Sequence, residues 1–186
     1  MKRISKVSIC CLFAIIMMGF MQLPAFAGST HEINQKVDIG LQNLYASSPA
    51  AQKLATVAKG ILVFPDVIKG GLIVGGHYGE GALIINGKIV AHYNTVAASY
   101  GLQIGAQSFG YAMFLMTDSA LQYLQKSSGW EVGVGPSLVV VDEGIATTLT
   151  SSTLKEDIYA FCFGQKGLMA GIGLQGSKIT RIHPDK

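Results

Sequence analysis

The side chains able to do chemistry are few and widely spaced. His77 and Glu80, in GGHYGEGAL, together with His92, are the only residues that suggest a metal site. A His-x-x-Glu spacing joins two ligands when the segment is helical. Here three glycines precede or separate them, so the segment reads as extended, and in a strand an odd spacing sends two side chains to opposite faces. His31 and His183 lie near the chain ends and read as solvated. No metal is expected.

Nucleophilic chemistry would fall to Cys162 or to a serine, but G-x-S-x-G is absent. Cys162 sits in YAFCFG, where a small apolar cysteine in a buried strand is the ordinary reading. A reactive thiolate needs a neighbouring cation or helix N-terminus, and pairing with His92 or His183 is the alternative that would supply a base. Glu131, Asp142 and Glu143 could pair as acid and base, but Asp142-Glu143-Gly144 after SLVVV is also turn chemistry. Trp130, beside Gly129, reads equally as an exposed aromatic anchor or as the edge of a core.

Two glycine motifs resemble phosphate loops. Gly171, Gly173 and Gly176 fit G-x-G-x-x-G, but SKITRI follows, a strand-like run with no helix to receive a pyrophosphate. The stretch 81–88 ends in Gly-Lys with the wrong spacing, and Ile89 stands where a magnesium-ligating hydroxyl is needed. No cofactor is expected.

The positioning elements follow from periodicity. Ile33, Val37, Leu41, Leu44 and Tyr45 recur at three- and four-residue steps, predicting an amphipathic helix over 30–45. Ser48-Pro49 supplies an N-cap and a first-turn proline for a second helix over 50–59, with Gly60 as its C-terminal cap. After Gly60 the period becomes that of strands: ILVFP, GGLIVGG, then ALIINGKIVAHYN, whose Asn86-Gly87 is a hairpin signal. GLQIGAQSFGYAMFLM predicts a curved strand, Thr117 caps a short helix bearing Ala120, Leu121 and Leu124, and the remainder returns to strands with turns at 164–167 and 175–176. This order is not the alternation that builds parallel βαβ sheets. It predicts an α+β fold: a strongly bent, mostly antiparallel glycine-rich sheet or barrel with N-terminal helices packed against it.

The first residues read as a secretory signal. Lys2, Arg3 and Lys6 precede an apolar stretch over 7–21 and an A-x-A pattern ending at Ala27. The expected organisation is a signal peptide over 1–27, a helical segment over 28–59 and a β-rich domain over 60–186. Cleavage would leave Gly28 first, and Cys10 and Cys11 lie too early for a lipid-modified cysteine. It also removes three of the 14 Lys+Arg, leaving 11 against 11 Asp+Glu, so the formal +3 vanishes. A nucleic-acid partner, which needs a basic footprint, is therefore not expected. Cys162 alone would remain, so no internal disulfide forms and the core must hold the fold. Of the 23 glycines 22 follow the leader, about twice the usual frequency, inside Val-, Ile- and Phe-rich runs that argue against disorder.

From residue 59 to 182 the sequence resembles the SYLF domain family through KGILVFPDVIKGGLIVGGHYGEGAL, YGLQIGAQSFGYAMFLMTDSALQYL, GWEVGVGPSLVVVDEG and FGQKGLMAGIGLQGSKITRI. The resemblance implies a non-enzymatic module. Eukaryotic relatives bind phosphoinositide membranes with help from a basic amphipathic N-terminal helix, and some fungal relatives bind and bundle actin. An exported chain meets neither cytosolic phosphoinositides nor actin, and the N-terminal segment here is only weakly basic, with Lys36, Lys53 and Lys59 against Glu32 and Asp38.

The expected function is a periplasmic or secreted lipid- or membrane-binding module, its partner a phospholipid or acyl ligand or an envelope membrane surface. Lys53, Lys59, Lys69 and Lys88 are the head-group candidates. A surplus of one charge, at about 1 kcal/mol per basic residue, does not hold a protein on a membrane. Insertion of the Ile33, Val37, Leu41, Leu44 and Tyr45 face would add ~1.5 to 3 kcal/mol per fully buried large side chain. The same face could instead cover the open side of the sheet. Two rivals are a small hydrolase using Cys162, or His77 with Glu80, and an assembly protein whose strand edges pair between copies.

Overall fold

A computed structural model of the chain describes residues 28–71, 74–100, 105–141, 145–146, 149, 154–166, 174 and 176–185. The expected signal peptide, the Asp142-Glu143-Gly144 turn and most of the G-x-G-x-x-G run lie outside the described residues.

Helix α1 spans Thr30–Ser47. The Ser29 hydroxyl accepts the Glu32 backbone N–H at 3.2 Å, satisfying one of the orphan donors of the first turn. Ile33, Val37, Gly40 and Leu44 are buried at three- and four-residue steps, so one stripe faces the core. Ser48 then serves two helices: its N–H closes α1 on Leu44 O at 2.8 Å, and its hydroxyl accepts Ala51 N–H at 3.3 Å to open α2, Pro49–Ala55. The expected run to residue 59 stops early. Thr56 and Val57 are β-branched and poor helix formers, the Thr56 hydroxyl donates to Lys53 O at 2.8 Å, and Gly60 opens a strand rather than capping a helix.

Among the described residues eight strands follow: β1 Gly60–Gly71, β2 Val74–Ile85, β3 Lys88–Tyr100, β4 Gly105–Leu115, β5 Trp130–Glu131, β6 Leu138–Val141, β7 Ile158–Lys166 and β8 Lys178–Ile182. Helix α3, Asp118–Lys126, lies between β4 and β5. They form one sheet in the order β5-β8-β3-β2-β1-β4-β7-β6. Every pairing is antiparallel except β6 with β7. The Asn86-Gly87 turn joins β2 to β3 with φ values of 50° and 72°, the doubly positive pair that matches strand twist.

The sheet curls into a half-barrel, and its glycines show why. Pairing of β1 slips between Val63 and Asp66, at Pro65, where a residue without an N–H breaks the ladder. Opposite that slip a Cβ at Gly81 would lie 2.0 Å from Val63 O and 2.8 Å from Phe64 Cδ1. Gly79 and Gly110 are equally constrained, with Val67 Cγ2 at 2.7 Å and Phe163 Cε2 at 2.5 Å. Neighbouring backbone and aromatic rings occupy the space that side chains would need.

The sheet separates two cores. Inside the curl, Leu62, Phe64, Val67, Leu83, Tyr93, Phe109, Tyr111 and Met113 pack with Ala120 and Leu124 of α3 and with Trp130. Outside, Ile33, Val37, Leu44 and Leu54 of the helices cover Ile61, Val63, Ala82, Ile84, Phe114 and Phe161. The α+β reading, a bent and mostly antiparallel sheet with N-terminal helices against it, describes this architecture.

Gly81→Ala is expected to destabilise the protein by at least about 1 to 3 kcal/mol, the cost of overpacking. Gly70→Ala, whose added Cβ meets nothing within 4 Å, is expected to change stability by less than about 0.5 kcal/mol. Urea titration of the two variants beside the parent measures both.

Candidate ligand-binding surface

Beyond the area covered by α1 the outer face of the sheet is arranged in bands set by strand register. Nearest the helix lies a polar band, in which Asp66 pairs with Glu80, Glu80 with Asn94 and Asn94 with Thr180. Two residues further out Ser108, Ile68, Tyr78, Val96 and Lys178 lie in consecutive register across β4, β1, β2, β3 and β8. Ile68 is 59 % exposed, and Tyr78 and Val96 44 % each. Directly opposed residues on adjacent strands share a face, so the three form one apolar row, with Ser108 at one end and the exposed Lys178 at the other. Further out still, Gly70 pairs with Gly76 and Gly76 with Ala98, leaving a low surface that does not shield the row.

Bonds within and beside the polar band fix its side chains. The Tyr78 hydroxyl donates to Glu80 Oε1 at 2.7 Å, and the backbone N–H of Gly28 donates to Glu80 Oε2 at 2.9 Å. Burial, then the Glu80 carboxylate, pushes the Tyr78 phenol up to about 12, so it remains a neutral donor. The Ser108 hydroxyl donates to Asp66. His92 Nε2 lies 2.7 Å from Asn34 Oδ1 and ties β3 to α1.

The inner face carries a different row at the same end of the strands: Gln107, Lys69, His77 and Ala97 are in consecutive register. His77 is buried, its Nε2 3.3 Å from Ser177 Oγ and its ring edge-on to Phe109. Burial and then the Lys69 charge lower its proton affinity below the ordinary imidazole value. Deeper inside, Tyr111 donates to Thr95 Oγ1 at 2.8 Å with both residues fully buried.

These positions sort the sequence candidates. His77 and Glu80 lie on opposite faces, as the odd spacing predicts, and His92 lies with Glu80 on the helix side. Among the described residues no three His, Cys, Asp or Glu side chains gather as a metal site. Cys162 is opposite Tyr111 on β7, three strands from His77 in sheet order, and burial pushes its thiol up to about 11. Trp130 is core: it is 1 % exposed and its Nε1–H donates to Val134 O at 2.9 Å.

The lysines do not form one cluster. Lys53 is exposed on α2, Lys59 lies 4.0 Å from Asp118 Oδ2 at the start of β1, and Lys88 is exposed beside the Asn86-Gly87 turn. Lys69 is ten residues along the chain from Lys59, about 30 Å in a strand, and stands beside His77. On α1, Ile33, Val37 and Leu44 are buried against the sheet, with Leu41 and Tyr45 partly buried beside them. The apolar helix face thus covers the sheet, the second of its two expected roles. Among the described residues no helix is long and apolar enough to cross a membrane. Sequence reading missed the Ile68–Tyr78–Val96 row, because its members are ten and 18 residues apart and only the register joins them.

Residues 96–183 match the family model described as Ysc84, Las17-binding protein actin regulator. No curated protein matches the chain. Val96, Ser108 and Lys178 fall inside the matched segment, whereas Ile68 and Tyr78 precede it.

At neutral pH Cys162 is expected to alkylate about a hundredfold more slowly than an unhindered thiol, because the nucleophile is the thiolate and about two further pH units are needed to form it. Iodoacetamide rates between pH 7 and 11 measure this. His77 and His92 both have lowered proton affinity in the fold, so the unfolded chain binds more protons below about pH 6.5. Stability is therefore expected to fall as pH drops through 6.5 towards 5, and His77→Gln to reduce that slope in urea titrations across this range.

Proposed function

We propose that this protein, a member of the SYLF family by the match over its residues 96–183, is a non-enzymatic module of the bacterial envelope that docks on a phospholipid surface through the uncovered face of its sheet. The observation that carries this reading is the apolar row Ile68, Tyr78 and Val96, exposed beyond the helix-covered core and ended by Lys178. The N-terminal leader pattern supports an exported, peripheral location.

The magnitudes define the mode of binding. Each apolar side chain of the row, already half covered, contributes about 1 kcal/mol on entering an apolar layer, and a lysine beside an anionic leaflet about 1 kcal/mol more. The sum is roughly 4 kcal/mol, a dissociation constant near the millimolar range for a single contact. Such a surface attaches reversibly and does not anchor. The outer helix contributes by covering the rest of the sheet, so attachment needs no detachment of α1.

The family description names Las17 binding and actin regulation for its relatives. An exported chain meets neither partner, so the shared module is read here as a surface-engaging scaffold with a different occupant. The hydrolase reading has less support, because His77 and Glu80 face opposite sides and the Cys162 thiol is held protonated.

Co-sedimentation of the protein with liposomes of anionic and of neutral phospholipid tests the proposal. Binding is expected to be stronger to anionic vesicles, and Ile68→Asp or Val96→Asp is expected to weaken it by about tenfold. Lys178→Ala is expected to reduce only the anionic preference. Absence of wild-type binding to both vesicle types would refute it.

A further inference from the structure

Among the described residues the outer face also holds a group of acidic side chains with too few cations to balance it. Asp66 and Glu80 are direct cross-strand neighbours, an arrangement in which like charges repel. Glu32, on the first turn of α1, brings a third carboxylate: its Oε2 lies 3.9 Å from the position a Cβ on Gly28 would occupy. Lys36 is the nearby basic side chain, and it is committed to Glu32 at 2.7 Å, reaching Asp66 and Glu80 only at longer range. Besides the Tyr78 hydroxyl on Oε1, the atom in contact with Glu80 is a backbone nitrogen, Gly28 N, at 2.9 Å from Oε2. As an amide that nitrogen is neutral.

We propose that the Ala27–Gly28 bond is the processing point of this protein and that the amine released there becomes the ion-pair partner of Glu80. The inference rests on the exported reading above. Hydrolysis by a leader peptidase adds one water across the bond: Ala27 leaves as a carboxylate, and Gly28 keeps the nitrogen, which takes up a proton at neutral pH. The chain end then carries a positive charge where three carboxylates meet one lysine. Gly28 suits the position, because a Cβ there would stand 3.2 Å from Glu80 Oε2 and 3.3 Å from Ile33 Cγ1. The ends of the described fold are already bonded together at this point, Thr30 N–H donating to Asp185 O at 2.9 Å. Processing therefore adds an electrostatic clamp to a fold that has already placed its parts.

The sign of the effect separates this arrangement from its alternative. A cation at the N-terminal end of α1 faces the positive end of the helix dipole, which alone would lower its proton affinity. Glu80, Glu32 and Asp66 act the other way, with Lys36 and the neutral Tyr78, Asn94 and His92 beside them on α1, β2 and β3, and with His31 and Asp185 at the joined chain ends. The pairing predicts that the carboxylates prevail. A raised folded-state value means stability that is fully present below the unfolded amine's value, about 7.7 to 8.0, and is lost as pH rises through the folded value.

The test begins with the full chain expressed with its own N-terminus in a bacterium and recovered from the envelope fraction. Mass spectrometry is expected to show a chain starting at Gly28. NMR titration of the Gly28 α-amine is expected to show it holding its proton about tenfold more tightly than an ordinary α-amino group, with Glu80→Gln returning it to the ordinary range or below. If Glu80→Gln does not accumulate, acetylation of the wild-type amine replaces it: the acetylated protein should lose the stability difference between pH 7 and 10 that the free amine confers. A chain that keeps residues 1–27 defeats the export reading together with this one. Cleavage at another bond, an amine that titrates normally in a chain starting at Gly28, or a raised value indifferent to Glu80→Gln overturns only the clamp.

Discussion

Close backbone approach on the inner side of β2 is the constraint on which the rest of this protein depends. Gly81 leaves no side chain between β2 and the Val63 carbonyl and Phe64 ring, and Gly79 none against Val67 and the Asp66 carbonyl, so the sheet bends there and the aromatic rings fill the concave side. Phe64 and Tyr111 lie with ring centroids 4.9 Å apart, and Tyr111 spends its hydroxyl on Thr95. The bend produces two unequal faces. The concave one closes on α3 and Trp130, while the convex one is broader than the helices laid over it. The uncovered row is thus a geometric result of the curl: a short helical cover on twelve- and thirteen-residue strands leaves their outer ends bare.

Those bare ends join the two functional readings. The row of Ile68, Tyr78 and Val96 and the acidic band below it belong to the same three strands, two residues apart, and Tyr78 touches both through Glu80. Electrostatics around the chain end and the apolar character of the row are therefore neighbours in space. The acidic band repels an anionic surface, and so restricts close contact to the outer edge where Lys178 stands. A positive charge at Gly28 would lessen that repulsion without adding a new contact.

What could be read in the sequence was local. The Ser48-Pro49 cap, the Thr117 cap and the Asn86-Gly87 turn depend on residues within four positions of each other, and each formed as expected. The separation of His77 from Glu80 also followed from the two-residue period of a strand. What could not be read depended on partners distant in the chain. The early end of α2 is decided by two β-branched residues against a strand that must begin at Gly60. The burial of Trp130 is decided by α3 and by its pairing with Ile179, and the outer row by slips in register at Pro65 and between Leu83 and Ile84. Lys69 stands apart from Lys59 because β1 is long, which composition does not reveal.

The place of β8 has a consequence for how the chain acquires this shape. The final strand in sequence, Lys178–Ile182, is not at the rim of the sheet but lies between β3 and β5. A nascent polypeptide emerging from its N-terminus can form the β1-β2-β3 meander early and add β4 beside β1, yet Trp130 and Ile179 cannot meet until almost the whole chain has been made. Contacts of such long sequence separation slow folding. Until then the half-finished sheet keeps an open β3 edge, its unpaired N–H and C=O groups a template for any other strand.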